Sequence, residues 1–197
     1  MLRVSIEELV KEVRITLDEN AAQSEYLQAN VDNLELDEII RAKIPDAARD
    51  VTETADVELL EPEVMGTEVT TNEHGGVLTI PEDFLRLVSL KMVGWNRSVT
   101  MTAGEGSDIE KMQRNPYTRG NKTKPVCVLS MNAEGKKVLE YFGASEAVER
   151  ALYIPIPKVE GETIGISRLL RQAIVKRAAG LTLLSRGETE LASVFLG

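Results

Sequence analysis

Cysteine, histidine and aromatic residues are scarce in this sequence of 197 residues. It contains one cysteine, Cys127, and one histidine, His74, and aromatic residues make up 4% of the chain. A single thiol cannot form an internal disulfide, and a structural metal site needs several cysteine or histidine ligands. These shortages exclude a disulfide-stabilised fold and a cysteine–histidine metal centre. They also leave Leu, Ile, Val and Ala to build most of the core.

Long apolar runs are absent as well. No run approaches the roughly 20 residues that a transmembrane helix requires. Residues 1–13 are amphipathic rather than continuously apolar, unlike the central region of a signal peptide. We therefore predict no signal peptide and no membrane partner, and we expect the protein to stay in the cytoplasm in which it is made.

The sequence has no recognisable set of catalytic residues. His74 lies in the loop-like stretch TNEHGG, without the spacing of a metal ligand or an evident orienting partner. No GxSxG motif is present, and Gly104–Gly106 is too short to be a dinucleotide fingerprint. Adjacent carboxylates such as Glu7 and Glu8 point apart on a helix. We expect a protein that is not an enzyme and that binds no cofactor and no metal.

The net charge of −9 is unevenly distributed along the chain. Residues 1–73 contain 19 acidic and 6 basic residues, whereas residues 74–197 contain 13 acidic and 17 basic ones. An acidic first third and a mildly basic remainder indicate two surfaces with different neighbours. The alternative is a chance distribution over solvated helices.

Helical periodicity begins at the start of the chain. The capping box formed by Ser5 and Glu8 precedes apolar residues at helical spacing and predicts a helix over residues 5–19. The segment 20–31 is weakly helical or a loop. A second helix is predicted from Asn33 towards Val57, with a kink or break just before Pro45, because proline lacks an amide hydrogen.

The C-terminal part is also predicted to be helical. One helix is expected from Ser167 to Gly187, and a short final helix over 188–196. The run Ala178-Ala179-Gly180 places three small residues where two helices could approach closely. Since glycine inside a helix costs about 1 kcal/mol relative to alanine, we expect close packing as compensation, within the subunit or against the next one.

The middle of the chain has the alternating pattern and the turn residues typical of β-strands. Residues 60–76 are predicted to form a loop or an irregular strand. A single helical turn is predicted at Pro81–Asp83. Gly94–Arg97 and Asn132–Gly135 predict turns that join strands. Val77–Ile80 is predicted to be a short strand or an extended entry to the turn at Pro81. The other predicted strands are Leu87–Val93, Ser98–Thr102, Val126–Met131, Lys137–Phe142 and Ala151–Ile154.

This order of helices, strands and helices is typical of the α+β class rather than of a parallel sheet. We predict a single domain over residues 1–197, helical at 1–59 and 160–197 and rich in β-structure at about 76–157. The N- and C-terminal helices should pack as a small bundle, with a central antiparallel β-meander or an inserted β subdomain.

A basic stretch, QRNPYTRGNKTK, holds the candidate binding residues. Arg114, Arg119, Lys122 and Lys124 lie close together in it, with Tyr117 among them. On a loop that faces nucleic acid, such charges neutralise phosphates without reading sequence. The same residues could pair with the acidic face of a neighbouring copy, or form a solvated loop with neither role.

Two stretches resemble bacteriophage head–tail connector proteins, including the tail tubular protein A type and the adaptors that sit beneath the portal. LTIPEDFLRLVSLKMVGW, residues 78–95, is similar to their "L-P-x-D-F-L-R-L" segment and the strand that follows it. ISRLLRQAIVKRAAGLTLLSRGETELASVF, residues 166–195, resembles their closing helices. In the first stretch Phe84, Leu85 and Leu87 should enter the core, while Arg86 projects outwards as a candidate intersubunit contact.

The resemblance implies a structural subunit of a phage or prophage virion. Such proteins form a homo-oligomeric ring, typically a dodecamer, between the portal protein and the tail proteins, and they help to retain DNA. They have no catalytic site and no cofactor. Ring neighbours would meet through an acidic and a basic face, in a heterologous contact that closes by rotation. The alternative from the residues themselves is a small DNA-binding or packaging accessory protein that uses the loop 114–124.

Overall fold

The computed structural model describes residues 2–21 and 33–196. Its helices are α1 (Ile6–Ala21), α2 (Asn33–Thr54), α3 (Asp108–Met112), α4 (Arg171–Ser185) and α5 (Thr189–Leu196). Its strands are β1 (Leu2–Ser5), β2 (Glu63–Val64), β3 (Val69–Asn72), β4 (Gly75–Thr79), β5 (Phe84–Met92), β6 (Ala103–Gly104), β7 (Val126–Met131), β8 (Lys137–Phe142), β9 (Val148–Pro155), β10 (Val159–Glu160) and β11 (Thr163–Ile166). Short 3-10 turns cover Val57–Leu59 and Arg168–Leu170.

The α+β class is confirmed, and the chain forms two compact units. The first, which we call the helical unit, comprises residues 1–61 and 156–197, and the second, the β unit, comprises residues 62–155. A β-rich segment is thus inserted in sequence between helical segments. That the whole chain is a single domain stays a prediction.

The helical unit combines α1, α2, α4 and α5 with a small antiparallel sheet in the order β1-β11-β10. Strand β1 was not predicted, because its four residues precede a helix without a turn signal. It forms because Val4 pairs with Ile164 of β11, and both side chains are buried. The apolar faces of the helices complete a core of aliphatic residues that includes Leu9, Val13, Ile40, Ile44, Ala47, Ala48, Ile174, Ala178 and Leu183.

A kink or a break was predicted just before Pro45. Pro45 does not break α2, so a break at this position is wrong. The helix runs from Asn33 to Thr54 with the proline inside it. Proline in a helix interior costs about 3 kcal/mol or more. Ile44, Ala47 and Ala48 on either side of it are fully buried, and α2 packs along α4. Burial of these side chains offsets the lost hydrogen bond. The predicted loop at 20–31 falls outside the described residues, apart from its first two positions, which belong to α1.

The small residues of α4 allow α5 to pack closely against it, as expected. A Cβ atom at Gly180 would lie 2.6 Å from Leu196 Cδ2 and 3.1 Å from Phe195 Cβ. Ala178 and Ala179 are fully buried beside it. Close packing of α5 therefore offsets the helix-propensity cost of Gly180. This close approach lies within the subunit.

The β unit contains a three-stranded sheet in the order β2-β9-β5 and a five-stranded sheet in the order β3-β4-β8-β7-β6. Neighbouring strands are antiparallel, except that β6 and β7 pair in parallel. Strands β7 and β8 have the predicted bounds, whereas β5 begins three residues earlier than predicted. The core cluster of this unit includes Met65, Leu78, Leu90, Met92, Trp95, Leu139, Tyr141 and Tyr153.

The predicted strand Ser98–Thr102 is wrong. Val99 exchanges two main-chain hydrogen bonds of 2.8 Å with Leu90, and this bridge is isolated. Strand β5 takes β9 as its long partner, and Trp95 turns inwards to donate from Nε1 to the carbonyl of Gly143. The expected helical turn at Pro81–Asp83 is a single hydrogen-bonded turn in which Phe84 N donates to Pro81 O. It leads directly into β5.

Candidate functional site

Helix α3 and the loop after it form an ordered structure around one buried amide. Ser107 caps the helix, with its hydroxyl oxygen accepting a hydrogen bond of 3.2 Å from Glu110 N. Gln113, at the end of the helix, is 4% exposed. Its Nε2 donates to Ile109 O at 2.7 Å, and its Oε1 accepts from Gly120 N at 2.8 Å. The side chain thus joins α3 to the middle of the basic stretch.

Asparagine side chains shape the rest of this loop. Asn115 Oδ1 accepts from Tyr117 N at 3.0 Å. Asn121 Oδ1 accepts from Thr123 N at 2.9 Å and from Lys124 N at 3.0 Å. These are Asx turns, in which a short polar side chain replaces a backbone acceptor. Every basic residue of the loop is therefore displayed on a backbone that local hydrogen bonds constrain.

A contact distant in sequence brings a further cation to the same place. Asn96 N donates a hydrogen bond of 2.9 Å to Lys122 O, which joins the turn after β5 to the basic loop. Its neighbour Arg97 then lines the same open cleft as Arg119, Lys122 and Lys124.

This cleft, which we call the cationic cleft, has a volume of about 890 Å³. No aspartate or glutamate occurs among the described residues that line it. Exposed apolar side chains accompany the positive charges. They are Ile109, Met112 and Tyr117.

Four of the six residues predicted as contact candidates come together in the cationic cleft. Tyr117 is 97% exposed, and Lys122 and Lys124 are exposed beside it. Arg119 is half-buried, because its Nε donates to the carbonyl of Gln113 at 2.7 Å. Arg119 thus supports the loop and contributes charge to the cleft.

The other two candidates lie elsewhere. Arg114 is exposed and pairs with Glu110 at 3.2 Å, on the side of α3 where Glu73, His74 and Glu140 also lie. Arg86 is half-buried on β5, and its Nε is shielded from solvent, so it does not project outwards as expected. The β5–β9 pairing changes register between Phe84 and Arg86. Such a register change disturbs the regular alternation of side chains along a strand.

Arg97 was missed by sequence reasoning, which placed it in a hairpin turn. Ile109 and Met112 were missed because α3 is too short to show a clear periodicity. The polar, turn-rich stretch that contains Asn121 was the available signal for the loop. No sequence signal links Asn96 to Lys122, because that contact is tertiary.

The titratable groups near the site include Glu140, Cys127 and His74. Burial raises the pKa of Glu140 on β8, and the nearby carboxylates of Glu110 and Glu105 raise it further. Burial also raises the pKa of the Cys127 thiol, which disfavours the nucleophilic thiolate. His74 is exposed in the β3–β4 turn, with Glu73 3.8 Å from its Nε2. Among residues 2–21 and 33–196, no group of His, Cys, Asp or Glu side chains is arranged to hold a metal ion.

Ion pairs within the helical unit join the acidic first third of the sequence to the C-terminal part. In the helical unit Arg171 pairs with Glu12 at 2.6 Å and with Glu8 at 3.2 Å, and Arg177 pairs with Asp50 at 2.8 Å. Basic residues of the C-terminal part thus neutralise acidic residues of the first third. The cationic cleft is a local concentration of charge in a β unit that has 12 acidic and 11 basic residues.

No protein-family model matches this chain, and no curated protein is significantly similar to it. Among the described helices, none combines the length and the apolar character needed to cross a membrane.

Proposed function

We propose that this chain is a structural subunit of a phage or prophage head–tail connector, which assembles as a ring between the portal and the tail. Such a protein acts through surfaces that contact other macromolecules. Its neighbours in the virion would be further copies of itself, the portal protein and the tail proteins. The proposal includes no catalysis.

The observation that carries this proposal is the exposed cationic cleft with Tyr117 at its edge. Tyrosine and arginine are enriched at protein interfaces, where they contribute much of the binding energy. A tyrosine that is 97% exposed gains little from its present position. The constrained loop also lowers the ordering cost that a partner would have to offset.

The two stretches that resemble connector proteins support the same proposal. Residues 78–95 span the end of β4, the turn at Pro81 and all of β5, the longest strand of the β unit. Residues 166–195 span α4 and most of α5. Both stretches thus build the framework of their own unit. They carry the resemblance through fold-forming residues, and the contact surfaces lie elsewhere.

Electron microscopy of the purified chain tests the proposal, with and without the portal protein encoded nearest to it. We expect rings of this chain, alone or seated on the portal. The portal alone and the chain alone serve as controls, because portal proteins themselves form rings. A chain that stays monomeric alone and never binds the portal at high concentration contradicts the proposal.

The second candidate function is a small DNA-binding or packaging accessory protein. No carboxylate occurs among the described residues that line the cationic cleft, and this favours the candidate, because phosphates would meet positive side chains there without repulsion from a lining carboxylate. The net charge of −9 opposes it, since DNA is repelled at long range.

DNA binding is tested by fluorescence anisotropy at several salt concentrations. If the cleft binds phosphates, the logarithm of the affinity should fall with the logarithm of salt by about 0.9 per phosphate contacted. Reversal of Lys122 and Lys124 should reduce both the affinity and this slope. Absence of binding at low salt removes the candidate.

A further inference from the structure

We infer that the cationic cleft binds the acidic 3-10 turn of a second copy of this chain, formed by residues Asp56, Val57, Glu58 and Leu59. This inference rests on the proposed function and names the partner of its contact surface. It identifies the two surfaces that would meet between neighbouring subunits.

The acidic turn is exposed but firmly held. Main-chain hydrogen bonds from Leu59 N to Asp56 O at 3.0 Å and from Leu60 N to Val57 O at 3.1 Å close it. Leu60 is buried, and Ser167 Oγ donates to Leu59 O at 2.6 Å, which attaches the turn to the helical unit. The turn therefore has a defined shape before it meets a partner.

Its side chains point away from the core of the helical unit. Val57 and Leu59 are 39% and 40% exposed, and no residue of Val57–Leu59 is buried. Asp56 and Glu58 are exposed, and neither forms an ion pair with another residue in the described part of the chain. An exposed turn that alternates carboxylates with aliphatic side chains has the chemistry of a contact surface.

The cationic cleft matches this turn both in charge and in apolar character. Lys122, Lys124 and Arg97 can face the carboxylates, while Ile109 and Met112 can cover the aliphatic side chains. Complementary charge directs two surfaces together and sets their register, and burial of the apolar groups adds affinity.

The apolar side chains decide between an acidic protein segment and a nucleic acid. Phosphates would use the lysines and arginines but would leave Ile109 and Met112 in water. The acidic turn of a second copy engages both kinds of group.

The contact joins two different surfaces, so it is heterologous. A heterologous contact repeats from copy to copy, and it closes into a ring when the rotation between copies permits. It accounts for ring formation without a self-complementary patch.

Zero-length carbodiimide cross-linking tests this contact directly. The reagent joins a lysine amine to a carboxylate that touches it, with loss of water, and so captures weak association. Isotope-labelled and unlabelled copies are mixed at high concentration, and cross-linked peptides that contain both labels are identified by mass spectrometry. We expect mixed-label links from Lys122 or Lys124 to Asp56 or Glu58. Absence of these links, or links from these lysines to other carboxylates alone, overturns the inference.

Charge exchange provides the second measurement. K122E/K124E and D56K/E58K should each weaken self-association by about tenfold or more, or about 1.4 kcal/mol. An equal mixture of the two variants should associate again, because each reversed surface then meets its reversed partner. K136E/K137E, which makes the same charge change outside the cleft, should behave as the unchanged chain. Variants that associate as the unchanged chain does, or a mixture that fails to recover, overturn the inference.

Two further outcomes separate the alternatives. If K122E/K124E abolishes binding of a labelled DNA duplex and no mixed-label link forms, the cleft binds nucleic acid and the inference is overturned. If rings form on the portal equally well with K122E/K124E, the connector proposal stands and this contact is wrong.

Discussion

Asn96 N donates a hydrogen bond of 2.9 Å to Lys122 O, and this contact assembles the cationic cleft from two separate parts of the chain. It brings Arg97 beside the basic loop. Without the hydrogen bond from Asn96 to Lys122, the basic loop would be a charged turn without Arg97 beside it.

Gln113 should be the main determinant of the loop conformation. In Q113L the main-chain N–H of Gly120 loses its acceptor, and the carbonyl of Ile109 loses its donor. Loss of a buried hydrogen-bond partner costs about 1–3 kcal/mol. We expect a lower urea midpoint and faster amide exchange at Gly120. Q172L, at an exposed position of α4, is the control and should change neither the urea midpoint nor the amide exchange at Gly120. An unchanged exchange rate at Gly120 in Q113L would contradict this role.

Gly180 should tolerate no branched side chain. In G180V the Cβ atom alone would lie 2.6 Å from Leu196 Cδ2, so α5 has to move. Overpacking of this kind costs about 1–3 kcal/mol. A173V changes an exposed position of the same helix and should cost less than about 0.7 kcal/mol, which is its helix-propensity penalty. Chemical denaturation of both variants makes the comparison. Equal losses of unfolding free energy in G180V and A173V would show that α5 does not pack closely at Gly180.

Tyr153 should make the β unit sensitive to alkaline pH. Burial raises its pKa to about 12, and the carboxylate of Asp83, which accepts its hydroxyl hydrogen at 3.1 Å, adds to the effect. The folded pKa therefore exceeds the unfolded value of about 10. The stabilisation is complete below pH 10 and is lost as the pH rises towards 12.

The measurement is the unfolding free energy as a function of pH for the unchanged chain and for Y153F. The difference between them should be constant below pH 10 and should shrink above it, because phenylalanine does not titrate. A difference that stays constant through this range would contradict the prediction. Tyr141, whose pKa burial also raises, is present in both chains and cancels in the comparison.

Arg177 and Asp50 should be coupled energetically. Both Nε and Nη2 of the arginine donate to Asp50 Oδ2, at 3.1 and 2.8 Å, and the side chains are partly exposed. A double-mutant cycle with R177A and D50A should yield a coupling of about 0.5–1 kcal/mol that decreases with salt. The exposed pair Lys136–Glu134 should yield less. A coupling energy near zero at low salt would show that this ion pair does not contribute to stability.

Much of the secondary structure followed from local pattern. Strands β7 and β8 have strong β-propensity and a clear turn between them, so their bounds were predicted correctly. The end of α4 near Gly187 was also predicted, because a helix end depends on residues within one turn of it. The strand predicted at Ser98–Thr102 failed because strand formation depends on a partner, and β5 pairs with β9 instead.

The sequence by itself determined the α+β class, the aliphatic core and the basic loop with its exposed tyrosine. These follow from composition and short-range spacing. Only the tertiary structure decided that α2 continues through Pro45, that Arg171 and Arg177 neutralise acids from the first third, and that Arg97 lines the cationic cleft. The physical reason is the same in each case. Burial, ion pairing and a main-chain hydrogen bond join residues that are far apart in sequence, and no local pattern records which residues will meet.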